Sequence, residues 1–259
     1  RDPWTEISYY KHLKLTKSAD QKHRNLEQKV FESADITLAT SFSDAENFRT
    51  KGANAFCITN GFDLNDSFTE RSRSDHSEKF TLSYIGVLEQ LRNPKVLWNV
   101  LNELISEKDD FKNNFELTFV GRIDDKILTE IEESKLIDLV NNLGYLSHSE
   151  ANVEMENSDL LLITNFPDES SKGIIPGKIF EYLATGKQIV SFGPKESDVK
   201  KILKETNAGK HFSYDEESDL KVFLLQKFEE WKLGTSHSPT ENIDQFSRRN
   251  LTKKLTELL

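Results

Sequence analysis

Short apolar runs alternate with amphipathic stretches along most of this chain, and that rhythm predicts a parallel β-sheet crossed by helices. A helical pattern sets in from about residue 20 to 33, with Leu26, Val30 and Phe31 at helix-face spacing. ADITLATS (34–41) then reads as a buried strand. A helix capped by Ser43 runs to Lys51, where Gly52 stops it, and AFCITNG (55–61) reads as a second strand. After a charged, Ser-rich stretch (65–79) the alternation restarts. Strands are expected at 80–86, 115–121, within 136–146, and at 159–165, 188–193 and 210–214. Helices are expected at 93–108, 124–134, 148–158, 197–206 and 216–234, with another opening at Pro176-Gly177 and a last one at 244–259. Apolar strands separated by amphipathic helices are the sequence form of an α/β doubly wound parallel sheet.

The stretch at 65–79 divides the pattern. Residues 1–64 read as part of one α/β lobe, 65–79 as a linker, 80–243 as a second lobe and 244–259 as a terminal helix. Residues 1–20 are irregular and aromatic-rich, with Pro3, Trp4, Tyr9 and Tyr10 expected to pack in a core. The sequence begins at Arg1 without an initiator Met, and its opening RDPWTEISYYKH reads as the middle of a domain, so a fragment is expected.

Composition narrows the partners. With 44 acidic against 34 basic side chains, the formal net charge of -10 argues against general nucleic-acid binding, which leaves a basic footprint. The single cysteine, Cys57, excludes an internal disulfide framework and a Cys-based zinc centre. No run approaches the roughly 20 apolar residues that span a bilayer, and a cytoplasmic location is expected.

The candidate chemistry gathers at the carboxyl ends of the strands, where doubly wound sheets bind ligands. Gly86 ends the first strand of the second lobe, Gly121-Arg122 end the next, and a long polar loop, Asn165 to Gly177, follows a third. Lys178 falls in the first turn of the helix after that loop, where the macrodipole disfavours a cation unless an anion is also present. Arg92 precedes another helix at the same sheet edge, and Asn93-Pro94 supply its expected cap and first turn. The convergence of Arg92 and Lys178 points to phosphate. Glu181, three residues after Lys178, is a carboxylate suited to ribose hydroxyls. His148 and His211 are read as structural.

The segment PGKIFEYLATGK (176–187), followed by QIVSFG, resembles the nucleotide-sugar-binding segment of glycosyltransferases with the two-Rossmann-domain GT-B architecture, in particular the retaining group 1 class of bacterial surface polysaccharide assembly. The whole of 80–259 follows the order of that family's C-terminal domain. The resemblance implies that Gly86, Arg92, Gly177 and Lys178 hold the donor diphosphate and that Glu181 holds the donor ribose. Arg122, Phe166 and Gly173 would then surround the base or the sugar. The family's paired-Glu motif has its first Glu eight positions before the second, and here that position is Gly173.

On this resemblance, 1–64 is the remnant of the acceptor-binding domain, with Asp2 as the candidate catalytic residue at the interdomain cleft, and 244–259 crosses back to that lobe. The implied activity is transfer of a sugar from a nucleoside-diphosphate sugar to a glycan or lipid-linked acceptor. It proceeds with retention, no metal and no cofactor beyond the donor. This chain alone is expected to be inactive. Arg248, Arg249, Lys253 and Lys254 form a solvated basic face, with peripheral contact to the inner membrane surface as its minor reading. A nucleotide-sugar epimerase and a non-catalytic nucleotide-sugar-binding module are the alternatives.

Overall fold

The computed structural model of the protein describes residues 3–7, 10–63, 78–235 and 240–259. Asp2, Tyr9 and most of the 65–79 linker lie outside these residues. The first part is a small β-α-β unit. Helix α1 (Lys17–Ser33), capped by the Thr16 side chain, precedes strand β1 (Thr37–Ala39), helix α2 (Phe42–Thr50) and strand β2 (Ala55–Cys57). β1 and β2 pair in parallel, and Phe31, Ala39, Ala45, Phe48, Ala53 and Ala55 form the core beneath them. The α2 cap is Ser41 rather than Ser43: its side chain accepts from the Asp44 amide. Ser43 is thereby released to another partner. Trp4 does not enter a core. It is 41% exposed, with its ring tilted against His23.

The second part is a six-stranded parallel sheet. It comprises β3 (Phe80–Leu88), β4 (Phe115–Ile123), β5 (Val140–Gly144), β6 (Leu160–Thr164), β7 (Gln188–Phe192) and β8 (Gly209–Phe212), in the order β5-β4-β3-β6-β7-β8. The crossovers are α3 (Lys95–Glu107) and the short α4 (Asp109–Asn114), then α5 (Asp125–Glu133), α6 (His148–Asn157), α7 (Lys178–Thr185) and α8 (Asp198–Thr206). Helices α9 (Glu217–Lys232) and α10 (Arg248–Thr256) complete the chain.

Period-2 alternation along each strand sorts side chains to two cores. Leu160 and Leu162 of β6 join Trp98 of α3, Ile127 of α5 and Leu224 of α9 on one face. Leu161 and Ile163 join Ile179 and Leu183 of α7 and Ile202 of α8 on the other. Burial of each such side chain contributes about 1.5–3 kcal/mol, which fixes the helices to both faces. Strand order reverses between β3 and β6, so their carboxyl ends diverge around a crevice.

Several contacts join the parts, two of them through the backbone or a buried carboxylate. The Ser43 amide and hydroxyl donate to the two carboxylate oxygens of Asp198, in the first turn of α8, at 2.9 and 2.7 Å. At the other contact Phe62 lies in the α7–α8 core, and its backbone pairs with Phe246 and Arg248 as α10 begins.

Candidate functional site

The carboxyl end of β3 stays paired with β4 through Leu88, but on its β6 side it is tied down by side chains. β6 pairs with β3 at Leu82 and Ser83, and beyond that point the Ile85 amide donates instead to the hydroxyl of buried Tyr182 on α7, at 3.2 Å. The Ile85 carbonyl accepts from Lys178 Nζ at 2.5 Å. The Val87 carbonyl accepts from the Tyr84 hydroxyl at 2.9 Å and from Arg92 Nη2 at 3.0 Å. Helix α7 therefore presents Lys178 inward, to the strand end between β3 and β6.

Gly86 makes that approach possible. Its φ of +124° disfavours any side chain, and a Cβ there would stand 2.8 Å from Lys178 Nζ. Its register partner on β4, Gly121, has a φ of +109°, and a Cβ there would strike the Gly86 carbonyl. The paired glycines keep the strand end bare beneath the ammonium group.

Lys178 Nζ also lies 4.1 Å from the centre of the Tyr84 ring. Burial pushes this amine down to about 8, the Arg92 guanidinium pushes the same way, and Glu181 opposes them. Arg92 sits at the end of a 3-10 turn, Gln90–Arg92, not in a helix first turn. It folds back on Glu89 at 3.2 Å and lies 5.7 Å over the Phe166 ring, and its Nε is buried without a partner among the described residues. The two cations are thus near enough for the Arg92 charge to disfavour protonation of Lys178. Asn93 does not cap α3. It accepts from the Trp98 indole at 2.7 Å and donates to Glu130 at 2.6 Å, which anchors the Arg92 turn to α5.

The Asn165–Gly177 loop is internally braced. Asn165 Nδ2 donates to the Ile174 carbonyl at 2.7 Å, Asp168 caps a 3-10 turn (Glu169–Ser171), and the Asp198 amide donates to the Lys172 carbonyl at 2.8 Å. The Tyr214 hydroxyl holds the Asn165 carbonyl at 2.6 Å. A Cβ at Gly173 would come 3.1 Å from Ser41 Oγ and 3.3 Å from Asp44 Oδ1. The amino end of α2 crowds this position, and a side chain at 173 would require Ser41 or Asp44 to give way slightly.

Gly177 opens α7 in helical conformation with no side-chain cap. Lys178 and Glu181, three positions apart, lie about 60° from each other around α7, and Glu181 acts on the Lys178 amine through its charge. Glu181 lies 3.9 Å from His148 Nε2 at the start of α6. Both border a cleft of about 460 Å³ walled by α6, α7, α10 and the 58–62 loop. Arg122 is exposed at the end of β4. Gly86, Arg92, Phe166 and Lys178 therefore come together, Glu181 flanks them, and Gly173 meets α2.

Sequence reasoning missed Tyr84, Tyr182 and Tyr214, whose hydroxyls build the site's floor, and set aside His148. The Tyr84 spacing, two residues before Gly86, was the one signal for its place under the glycine.

No known family profile and no curated protein matches the chain. Solved structures do. Anabaena HepE in complex with UDP is similar over 97% of this chain and 69% of its own, with TM-score 0.70 and 16% identity. S. aureus TarM, in a complex that includes UDP, is similar over 92% of this chain with TM-score 0.65 and 16% identity, and the chain spans 46% of TarM. WaaG, a glycosyltransferase of lipopolysaccharide biosynthesis, is similar over 96% of this chain and 68% of its own, with TM-score 0.63 and 13% identity. The parallel sheet is thus the Rossmann-like half of a GT-B fold.

Proposed function

We propose that this chain is the donor-binding part of a glycosyltransferase that moves a sugar from a nucleoside-diphosphate sugar to a glycan or lipid-linked acceptor. The observation that carries the reading is the meeting of two cations, Lys178 buried at the strand end and Arg92 with an unpartnered Nε among the described residues, at the strand-order reversal. A diphosphate supplies the missing negative charge. As the bond between the anomeric carbon and the diphosphate oxygen breaks, its electron pair passes to the diphosphate. Lys178, Arg92 and the amides opening α7 at Gly177 stabilise the developing charge. Glu181 accepts hydrogen bonds from the donor ribose. Phe166, Gly173 and Arg122 border the base or the sugar, and Asp2 is the catalytic candidate. UDP and UDP-sugar complexes among the similar structures support this assignment.

The reading extends to retention at the anomeric carbon, independence of metal and of any further cofactor, and action in the cytoplasm with peripheral contact to the membrane surface through the basic face of α10. Residues 1–64 belong to the acceptor-binding lobe and 80–243 to the donor lobe. Calorimetric titration with UDP tests the core of the proposal. Lys178→Ala and Arg92→Ala each remove a charged donor, worth about 1.5–3 kcal/mol, and lower affinity by roughly 10- to 100-fold. Unchanged affinity in both variants refutes it.

One observation favours a second reading. Gly173 stands where the resembled motif has a carboxylate, and α2 crowds that position, as in a module that binds nucleotide sugar without transferring it. Turnover of donor by the longest available form of the protein, with no partner added, excludes that reading.

A further inference from the structure

The loops that carry Arg92 and Phe166 meet at one phenol. Tyr214 follows β8, two residues beyond Phe212, where that strand pairs with Phe192 of β7. Its hydroxyl donates to the Asn165 carbonyl at 2.6 Å and reaches the Arg92 carbonyl at 3.3 Å, so one O–H group touches the loop after β3 and the loop after β6 together. Its ring lies 5.7 Å from the Phe192 ring and packs against the core that holds Trp98 and Leu224. The sheet fixes the ring, and the ring fixes the hydroxyl. Burial pushes the Tyr214 phenol up, so it keeps its proton and donates throughout the neutral range, while the nearby Arg92 charge pulls the other way.

Both ends of this strap bear on the same pair of side chains. Arg92 projects from one loop and Phe166, the residue after Asn165, from the other, with the guanidinium carbon 5.7 Å from the centre of the Phe166 ring. Asn165 is 2% exposed and bonded on three sides: its amide donates to the Phe192 carbonyl at 2.8 Å, its side chain to the Ile174 carbonyl at 2.7 Å, and its own carbonyl accepts from Tyr214. A shift of Asn165 away from Tyr214 therefore carries Phe166 with it, while Arg92 stays on the Val87 carbonyl at the end of β3. A cation over a ring at the rim of a site is too weak to set the spacing of two loops. A hydrogen bond from a side chain rooted in the sheet can set it.

We propose that Tyr214 is a positioning residue for the donor site: its hydroxyl straps the Arg92 and Asn165 loops together and so sets where the Arg92 guanidinium stands relative to Phe166 and the diphosphate. What Arg92 binds rests on the donor reading above; what holds Arg92 in place does not.

Tyr214→Phe keeps the ring and removes the strap. Two readouts compare it with the native chain: affinity for UDP, GDP and ADP by calorimetry, and the Arg92 Nε–H signal in heteronuclear NMR spectra, assigned by its loss in Arg92→Lys. The variant unfolds cooperatively in urea as the native chain does, its Arg92 signal shifts or broadens, and it binds the preferred nucleotide about three- to tenfold more weakly. Tyr214→4-aminophenylalanine, which puts an N–H donor in the same place, restores both. In the Arg92→Ala background Tyr214→Phe changes affinity by less than about twofold, because the group it positions is gone, whereas a merely structural tyrosine weakens binding by the same factor in either background. An Arg92 signal and an affinity both unchanged in Tyr214→Phe overturn the proposal and leave the donor reading intact, as does an equal loss of affinity in the two backgrounds. A native chain that binds none of the nucleotides while its Arg92 signal still responds to Tyr214→Phe leaves the strap standing and removes the donor assignment instead.

Discussion

Lys178 is the residue on which the donor site turns, and its chemistry can be read through pH. Its amine titrates near 8 instead of the ordinary 10.5, because burial and Arg92 disfavour the charged form. An anion binds the protonated amine better, so UDP affinity is flat below pH 8 and declines above it. Calorimetry across pH 6.5 to 9.5 should show that decline in the native chain and its absence in Lys178→Met. The sign for stability is opposite. Between about 8 and 10.5 the unfolded chain holds the Lys178 proton and the native one has shed it, so unfolding free energy rises with pH in that window. His211 gives a second titration. Its Nε2 donates to the Pro194 carbonyl at 2.9 Å, which fixes Nδ1 as the acceptor of the Ser191 hydroxyl at 2.7 Å. Burial lowers its pKa below 6.5, so the unfolded chain takes up the proton first and stability falls as pH drops below 6.5. His211→Phe, less stable at neutral pH, lacks that acid-linked loss in denaturant titrations.

At the scale of elements, α7 both places Lys178 and replaces a missing strand partner. Tyr182 accepts from the Ile85 amide just where pairing of β3 to β6 stops. Tyr182→Phe preserves the packing of a fully buried ring and orphans that amide. The expected cost is about 1–3 kcal/mol in urea denaturation, with weaker UDP binding as Lys178 loses its fixed height above Gly86. The helices themselves were mostly legible in the sequence. Their apolar faces and caps are local signals, so α3, α5, α6, α8 and α9 fall within one to three residues of expectation. The α2 cap was misplaced because Ser41 and Ser43 are equivalent locally, and only the distant Asp198 distinguishes them.

For the whole molecule, the Ser43–Asp198 contact joins the β-α-β unit to the donor-side sheet beside the Asn165–Gly177 loop, whose Lys172 carbonyl accepts from the Asp198 amide. Asp198 is 5% exposed and its carboxylate takes two hydrogen bonds from Ser43. Asp198→Ala therefore costs about 1.5–3 kcal/mol of stability. In a double-mutant cycle its effect is non-additive with Ser43→Ala. Additive effects would show that the two parts are held by other contacts.

The sequence by itself determined the α/β class, the order of strands and helices, and the cluster of Gly86, Arg92 and Lys178 at strand ends. Those features rest on periodicity, caps and the rule that parallel strands bind ligands at their carboxyl ends. Tertiary structure alone decided three further things. It turned Lys178 into the strand end and left Glu181, about 60° round α7, against the cleft beside His148, because helix geometry fixes only their spacing and packing selects which position faces the sheet. It set the amino end of α2 against Gly173, a contact between segments about 130 residues apart. It also gathered the 58–62 loop, α6, α7 and α10 around one cleft, since segments far apart in the chain become neighbours only on folding.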